Sequence, residues 1–270
     1  MRMSLDEVVG RRSVGDRLLL ILDTVAAAPG EVGLSELARL TGLKKPTVHR
    51  LASDLLAKRL LDRGTYGYRL GMHLFELGQQ VPASRRVRDA ALPAMVGLLD
   101  STRESVQLAV LDGADVVVVE QFVRSARGAV ARGAGSRLPA YCSGLGKAIL
   151  AFSTPAVVVA ALRSSMPART GTTITGPERL RRELAGVREA GVAFDRQECV
   201  GGIVCAAAPI VVANRGARAE DVAVAAVAVS GPSRRMPVVR VEAAVRAAAF
   251  AISRALTVPV ASVRGGDEGR

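Results

Sequence analysis

The chain has 270 residues, of which 49% are hydrophobic, and a formal net charge of +12. This length suffices for two domains with separate cores, and the positive charge favours a polyanionic partner such as nucleic acid. No apolar run is long enough to span a bilayer, and charged residues occupy the start of the chain where a signal peptide needs an apolar segment. The three cysteines form no C-x-x-C pair, so neither a disulfide framework nor a structural zinc site is indicated. We therefore expect a cytoplasmic protein with no membrane partner and no cofactor.

Residues 14 to 55 predict three short helices that contain a helix-turn-helix. In the first, apolar side chains recur at i, i+4, i+7, i+8 and i+11, and a Pro-Gly pair ends the helix. The second is expected to have Ser35 as its N-cap and to stop at Gly42, where glycine tolerates the backbone of a helix end. The third carries Pro46 in its first turn, where a missing amide costs nothing. Its inward-facing stripe consists of Val48, Leu51, Ala52 and Leu55.

The outward side of the third helix carries cations and short hydrogen-bond donors, without the glutamates that an ordinary surface helix intersperses. This composition fits the DNA major groove; the alternative is an ordinary helical hairpin. The sequence RGTYGYRLG at 63–71 predicts a small β-hairpin, the wing of a winged helix. Its polar side chains either touch DNA or belong to a solvated turn. The residues expected to contact DNA are Ser35, Lys44, Lys45, Thr47, His49, Arg50, Arg63, Tyr66 and Arg69.

The pattern changes near Pro82, which interrupts helical periodicity. Beyond it, segments typical of strands and helices are mixed. Four valines at 116–119 suit a strand covered on both faces, and three glycines at 127–140 indicate a loop. The chain is therefore expected to be an α+β protein. Its predicted parts are a winged helix-turn-helix domain at 1–70, a linker helix at 71–83, an α/β domain at 84–260 and a disordered tail at 261–270. In the α/β domain, strands are predicted at 105–111, 115–122, 203–212 and 222–230, and helices at 143–152, 155–163, 177–190 and 238–256.

The second domain lacks the residues of common catalytic centres. Both histidines, His49 and His73, lie in the N-terminal part of the chain, so neither a Ser-His-Asp nor a Cys-His arrangement can form in the second domain. The sequence GLGKA at 144–148 fails as a phosphate-binding loop, because Lys147 is followed by Ala148 rather than by Ser or Thr. Its glycine-rich helix start either offers exposed amides to a small anion or lets the helix pack closely on a sheet.

Five segments together, in their order, resemble the IclR family of bacterial transcriptional regulators over roughly residues 14–257. They are LSELARLTGLKKPTVHRLASDL, the YRLG that closes the wing, ESVQLAVLDG at 104–113, RLPAYCSGLGKAIL at 137–150, and AVAVSGPSRR ending at residue 235. The resemblance implies an N-terminal winged helix and a C-terminal GAF-like effector domain that is not an enzyme. It also implies dimers or dimers of dimers on operator DNA, and a small organic acid or related metabolite as effector.

The resemblance also implies which residues line the effector pocket. Taken from the residues alone, Asp195 is a cap or an ion-pair partner, and Cys205 is an inert core residue. Ala228 stands where members of the family often have serine, and Leu145 stands where some have alanine, which implies a less polar and tighter pocket. Arg127 is the candidate cation that offsets the charge of an acidic effector beside Asp195. The implied effector residues are Arg127, Leu138, Gly144, Leu145, Asp195, Ile203, Cys205 and Ser230.

The sequence therefore predicts a homo-oligomeric, metabolite-controlled transcription factor. A repressor is favoured, although the sequence itself distinguishes neither repression from activation nor a dimer from a tetramer. The alternative is a small-molecule enzyme of hydrolase type, using Cys142 or Ser143 as nucleophile, in which the N-terminal helices serve only for dimerisation.

Overall fold

The computed structural model describes residues 13–124, 133–212 and 221–257, apart from the side chains at positions 83 and 84. Two compact units meet at a boundary that follows Pro82. None of the helices in the described ranges is both long and apolar enough to cross a membrane. The second half of the predicted loop at 127–140 contains a short strand, whereas residues 125–132 and the predicted tail at 261–270 lie outside the described residues.

The N-terminal unit is a three-helix core with a β-hairpin. The cluster that holds it together contains Ile21, Leu37, Val48 and Leu51, each with no exposed surface. These residues come from all three helices, so each helix buries the apolar stripe that its sequence predicts. The elements are α1 (Val14–Ala27), α2 (Leu34–Thr41), α3 (Lys45–Ala57), β1 (Leu61–Arg63), β2 (Tyr68–Leu70) and α4 (Met72–Gly78).

The predicted N-cap of α2 is wrong by two residues. The cap is Gly33, and Ser35 lies exposed in the first turn of the helix. The reason is a tertiary contact, because Val32 forms a β-bridge with Tyr68 of the wing and the chain turns into the helix directly after that bridge. The helix ends as predicted at Gly42, whose φ of 70° is a left-handed conformation that glycine adopts without strain.

The C-terminal unit is a six-stranded antiparallel sheet with helices on both faces. The strand order is β5-β4-β3-β8-β7-β6, so the two longest strands, β7 and β8, lie beside each other. The elements are α5 (Pro82–Thr102), β3 (Ser105–Asp112), β4 (Asp115–Phe122), β5 (Arg137–Pro139), α6 (Gly144–Ala151), α7 (Pro155–Arg163), α8 (Pro177–Ala190), β6 (Ala193–Arg196), β7 (Ile203–Val212), β8 (Val222–Pro232) and α9 (Val238–Thr257).

Each face of this sheet buries its own core. The inner face, which carries Ala109, Val118, Cys205 and Ala228, packs against α6, α7 and α8. The outer face packs against α5 and α9. Strand β4 alternates, with Val116 and Val118 buried and Val117 and Val119 half-buried. Helices therefore cover the inner face of this strand fully, and its outer face only in part.

Candidate DNA-binding and effector sites

The outward side of α3 carries the basic side chains that the sequence predicts to meet DNA. Lys44 is the N-cap of the helix, and the side chains at 44, 45, 49 and 50 are exposed, whereas Thr47 is half-buried. Arg50 also faces an acidic neighbour that the sequence analysis missed, since its Nη1 lies 3.5 Å from Oδ2 of Asp54 one turn later. The sequence could have indicated this ion pair, because oppositely charged residues four positions apart on a helix are neighbours.

The wing presents its polar side chains to solvent. Tyr66, at the tip, is 85% exposed, and Arg63 and Arg69 are exposed on β1 and β2. The guanidinium carbon of Arg63 lies 5.6 Å from the ring centroid of Tyr68, which orients this cation on the hairpin.

The loop before α2 fixes the wing to the helix-turn-helix. Val32 and Tyr68 exchange two backbone hydrogen bonds of 2.9 Å, and the backbone N–H of Tyr66 donates to Oε2 of Glu31 at 2.6 Å. A Cβ added at Gly67 would lie 2.3 Å from the Val32 carbonyl oxygen, so only glycine fits this crossing. The helix-turn-helix and the wing therefore form one preorganised surface.

Most of the predicted effector residues lie on the inner face of the sheet or on the segments that cover it. Asp195, Cys205 and Ser230 are paired in register across β6, β7 and β8, so they form one row. Their exposed fractions are 2%, 5% and 0%. Leu138 on β5 and Leu145 on α6 belong to the same buried cluster. Ile203, two residues before Cys205 on β7, is half-buried, and Arg127 lies outside the described residues.

The start of α6 packs closely on the sheet. Ser143 caps the helix, its Oγ accepting a hydrogen bond from the backbone N–H of Gly146 at 3.1 Å. A Cβ at Gly146 would lie 2.2 Å from Cα of Ala140. All eight residues of the helix are buried, which favours the close-packing interpretation of Gly146.

Lys147, whose role the sequence did not reveal, is fully buried beside two carboxylates. Its Nζ donates to Oε1 of Glu198 at 2.7 Å and to Oε1 of Glu183 at 2.9 Å. A buried ammonium requires such partners, because removing it from water without them costs on the order of several kcal/mol. The lysine thus ties α6 to α8 and to the segment after β6.

Asp195 caps the turn that follows β6. Its Oδ1 accepts hydrogen bonds from the backbone N–H groups of Glu198 at 2.6 Å and Cys199 at 3.4 Å. Burial raises the pKa of this carboxyl to about 6, although the two backbone donors oppose the shift. The carboxylate therefore adds negative charge to the β6 end of the inner face near neutral pH.

The three cysteines are free and buried. The hydrogen bond with Cys199, followed by burial, raises the pKa of Cys142, and burial raises the pKa of Cys205. Since the thiolate is the reactive form, both residues stay neutral thiols at physiological pH.

The comparison with known proteins accounts for both units. Residues 79–254 match the family model described as bacterial transcriptional regulator IclR C-terminal, and residues 16–64 match the IclR helix-turn-helix domain. The chain belongs to the IclR family. It is accordingly a DNA-binding transcriptional regulator, with a helix-turn-helix unit and an α/β unit as the resemblance implied.

Relatives in the IclR family align over most of their own length. The transcriptional repressor IclR of Escherichia coli is 32% identical over 225 residues, which cover 82% of this chain and 80% of the repressor. An IclR homologue from Microbacterium hydrocarbonoxydans, solved in complex with 4-hydroxybenzoate, is 30% identical with a TM-score of 0.78, covering 90% of this chain and 99% of that one. The IclR protein of Thermotoga maritima is 28% identical with a TM-score of 0.74, covering 90% and 98%.

Proposed function

We propose that this IclR-family regulator is a repressor. Its affinity for operator DNA is controlled by a small organic acid that binds at the inner face of the C-terminal sheet. The observation that carries the proposal is Ser230, whose hydroxyl has no surface exposure and no hydrogen-bond partner among the described residues. Buried polar groups are nearly always paired, so an unpaired hydroxyl in this row supports a ligand there. The homologue that binds 4-hydroxybenzoate supports an organic acid.

The proposed DNA interface follows from the exposed basic surface. Lys45, Thr47, His49 and Arg50 on α3 enter the major groove, and Lys44 and Ser35 lie near the phosphate backbone at the two helix starts. Arg63, Tyr66 and Arg69 on the wing contact the backbone or the minor groove.

The protein is proposed to act as a homodimer or tetramer. Met72, Phe75 and Leu77 on α4 are each more than half exposed, and apolar side chains clustered on one short helix favour burial against a second copy. Two-fold symmetry would place two reading heads on half-sites about one helical turn apart.

An enzymatic role is disfavoured by the chemistry of the candidate nucleophiles. Cys142 is a buried neutral thiol, Ser143 serves as a helix cap, and the chain has no histidine beyond residue 73. We therefore propose a non-enzymatic regulator that works in the cytoplasm, where its DNA is.

Calorimetry tests the effector site. Titration of 4-hydroxybenzoate, benzoate and pyruvate into the wild-type protein is expected to reveal binding of at least one acid, and Ser230→Ala is expected to weaken that binding. Ser101→Ala, on the exposed surface of α5, is the matched control. Equal affinity in the wild type and in Ser230→Ala would refute the site, and an acid that binds without altering DNA affinity would refute the control of DNA binding, because a ligand regulates only through different affinities for two states.

A further inference from the structure

Gln107 is a second buried polar residue on the inner face of the sheet. It is 1% exposed, and its Nε2 has no hydrogen-bond partner among the described residues. Leaving an amide donor unpaired in a protein interior is unfavourable, and each such group in a native structure calls for an explanation, such as a ligand. The signal in the sequence was a glutamine inside an otherwise apolar strand, SVQLAVL.

The strand register places Gln107 beside Ser230. Ser105 pairs with Ser230, and Gln107 pairs with Ala228, in neighbouring rows of β3 and β8. Residues two apart on one strand share a face, so the amide of Gln107 is a diagonal neighbour of the Ser230 hydroxyl. Two unpaired buried polar groups thus lie side by side on the inner face of the sheet.

The start of α6 packs on β7, the strand next to Ser230. A Cβ added at Gly144 would lie 3.0 Å from Sγ of Cys205 and 3.5 Å from Cβ of Ala207, so the first turn of α6 rests on β7. Between that contact and Gln107 the inner face carries only Ala228 and Ser230. The side chains between the helix start and Gln107 are therefore small.

The charges on the inner face of the sheet are unevenly distributed. At the β6 end, Lys147 is already paired with Glu183 and Glu198, so with Asp195 the carboxylates there outnumber the lysine. Gln107 lies three strands away from β6, a separation of about 14 Å at the usual strand spacing. An anionic group is therefore repelled from the β6 end and stabilised where the hydrogen-bond donors are.

We propose that Gln107 is the specificity-determining residue that recognises the carboxylate of the effector. Its Nε2 donates to one carboxylate oxygen, the hydroxyl of Ser230 donates to the other, and the apolar part of the acid packs against Leu145. This inference rests on the proposed function and names the ligand class and its orientation. It assigns recognition to a neutral donor pair rather than to an arginine.

Two substitutions at one position separate this role from a structural one. Gln107→Leu keeps the size of the side chain and removes its donor, whereas Gln107→Glu keeps its shape and adds a negative charge. In the effector-free protein, Gln107→Leu is expected to unfold at the same or a higher temperature than the wild type, because it removes an unpaired buried amide. A clearly lower unfolding temperature would mean that the amide bonds within the protein, and would overturn the proposal.

Calorimetric titration with benzoate, 4-hydroxybenzoate and pyruvate then measures recognition. We expect the wild type to bind at least one acid, Gln107→Leu to weaken that binding by at least about tenfold, and Gln107→Glu to abolish it. Gln80→Leu, at an exposed position of the N-terminal unit, is expected to bind the acid as the wild type does. Unchanged acid affinity in Gln107→Leu, or a wild type that binds none of the three acids at millimolar concentration, would overturn the carboxylate assignment.

A mobility shift on the DNA upstream of the protein's own gene tests the role of Gln107 separately from the proposed control of DNA binding. If the acid alters wild-type DNA binding while Gln107→Leu responds with the same midpoint, only the role of Gln107 fails. If the wild-type complex is unaffected by an acid that it binds through Gln107, the control of DNA binding fails and the recognition by Gln107 stands.

Discussion

The environment of Asp195 makes the free energy of unfolding depend on pH. Its pKa is raised from 3.8 to about 6 in the folded protein, mainly by burial. A raised carboxyl pKa means that the folded state holds the proton more tightly than the unfolded state. Ionising Asp195 therefore lowers the free energy of unfolding. This loss is absent below about pH 4, grows between about pH 4 and pH 6, and is complete above about pH 6.

Asp195→Asn is expected to remove that cost, because the amide keeps an acceptor oxygen for the N–H groups of Glu198 and Cys199. At neutral pH the variant should exceed the wild type in free energy of unfolding by about 1–3 kcal/mol, and near pH 4 the two should be nearly equal. Urea unfolding of both proteins across this range measures the difference. A difference that stays constant with pH would contradict the assignment.

Arg50 tests the proposed DNA interface at the scale of one side chain. If it makes a bidentate base contact, Arg50→Ala should cost about 1–3 kcal/mol of binding to the operator and much less on unrelated DNA. Arg179→Ala, an exposed arginine of the C-terminal unit, is the matched control, and fluorescence anisotropy supplies the affinities. Equal losses on all sequences would make Arg50 a phosphate contact, and no loss would remove it from the interface.

At the scale of elements, the buried cluster around Lys147 joins α6, α8 and the turn after β6. Lys147→Met leaves Glu198 buried without its cation and should lower the free energy of unfolding by about 3–5 kcal/mol. Adding Glu183→Gln and Glu198→Gln should recover part of this loss, because the uncompensated charges disappear. Lys58→Met, on an exposed lysine, is the control in urea unfolding. A wild-type midpoint for Lys147→Met would contradict the structural role.

Elements with a strong local pattern were predictable, and those defined by distant partners were not. The strands β7 and β8 are long apolar runs because helices cover both of their faces, and this is visible in the sequence. The three residues of β5 are a strand only because they pair with β4. Likewise, Gly33 replaces Ser35 as the cap of α2 because Val32 is bridged to the wing.

The same distinction applies to the candidate sites. The outward side of α3 follows from helical periodicity alone, so its exposed cations were predictable. Lys147 meets carboxylates that are 36 and 51 residues away in sequence, so its burial had no local signal. Gln107 stands out in the sequence as a polar residue in an apolar strand, but only the register of β3 with β8 places it beside Ser230.

At the scale of the whole molecule, oligomerisation depends on the apolar surface of α4. We expect light scattering to give the wild type a mass of at least two chains, and Phe75→Ser to lower it, because this side chain is 61% exposed in the single chain. Phe250→Ser on α9, a phenylalanine with 66% exposure, is the matched comparison. A mass that falls only in Phe250→Ser would move the interface to α9, and no change in Phe75→Ser would refute the proposed role of α4.

The central claim is that a small organic acid changes the affinity of this regulator for operator DNA. The most direct test is a mobility shift of the full chain on the DNA upstream of its own gene, with excess competitor and at one stated salt concentration, because phosphate contacts make affinity steeply salt-dependent. The account predicts a discrete complex that survives competitor and dissociates as 4-hydroxybenzoate, benzoate or pyruvate is added. A complex that none of these acids alters, or the absence of any complex that survives competitor, would contradict it.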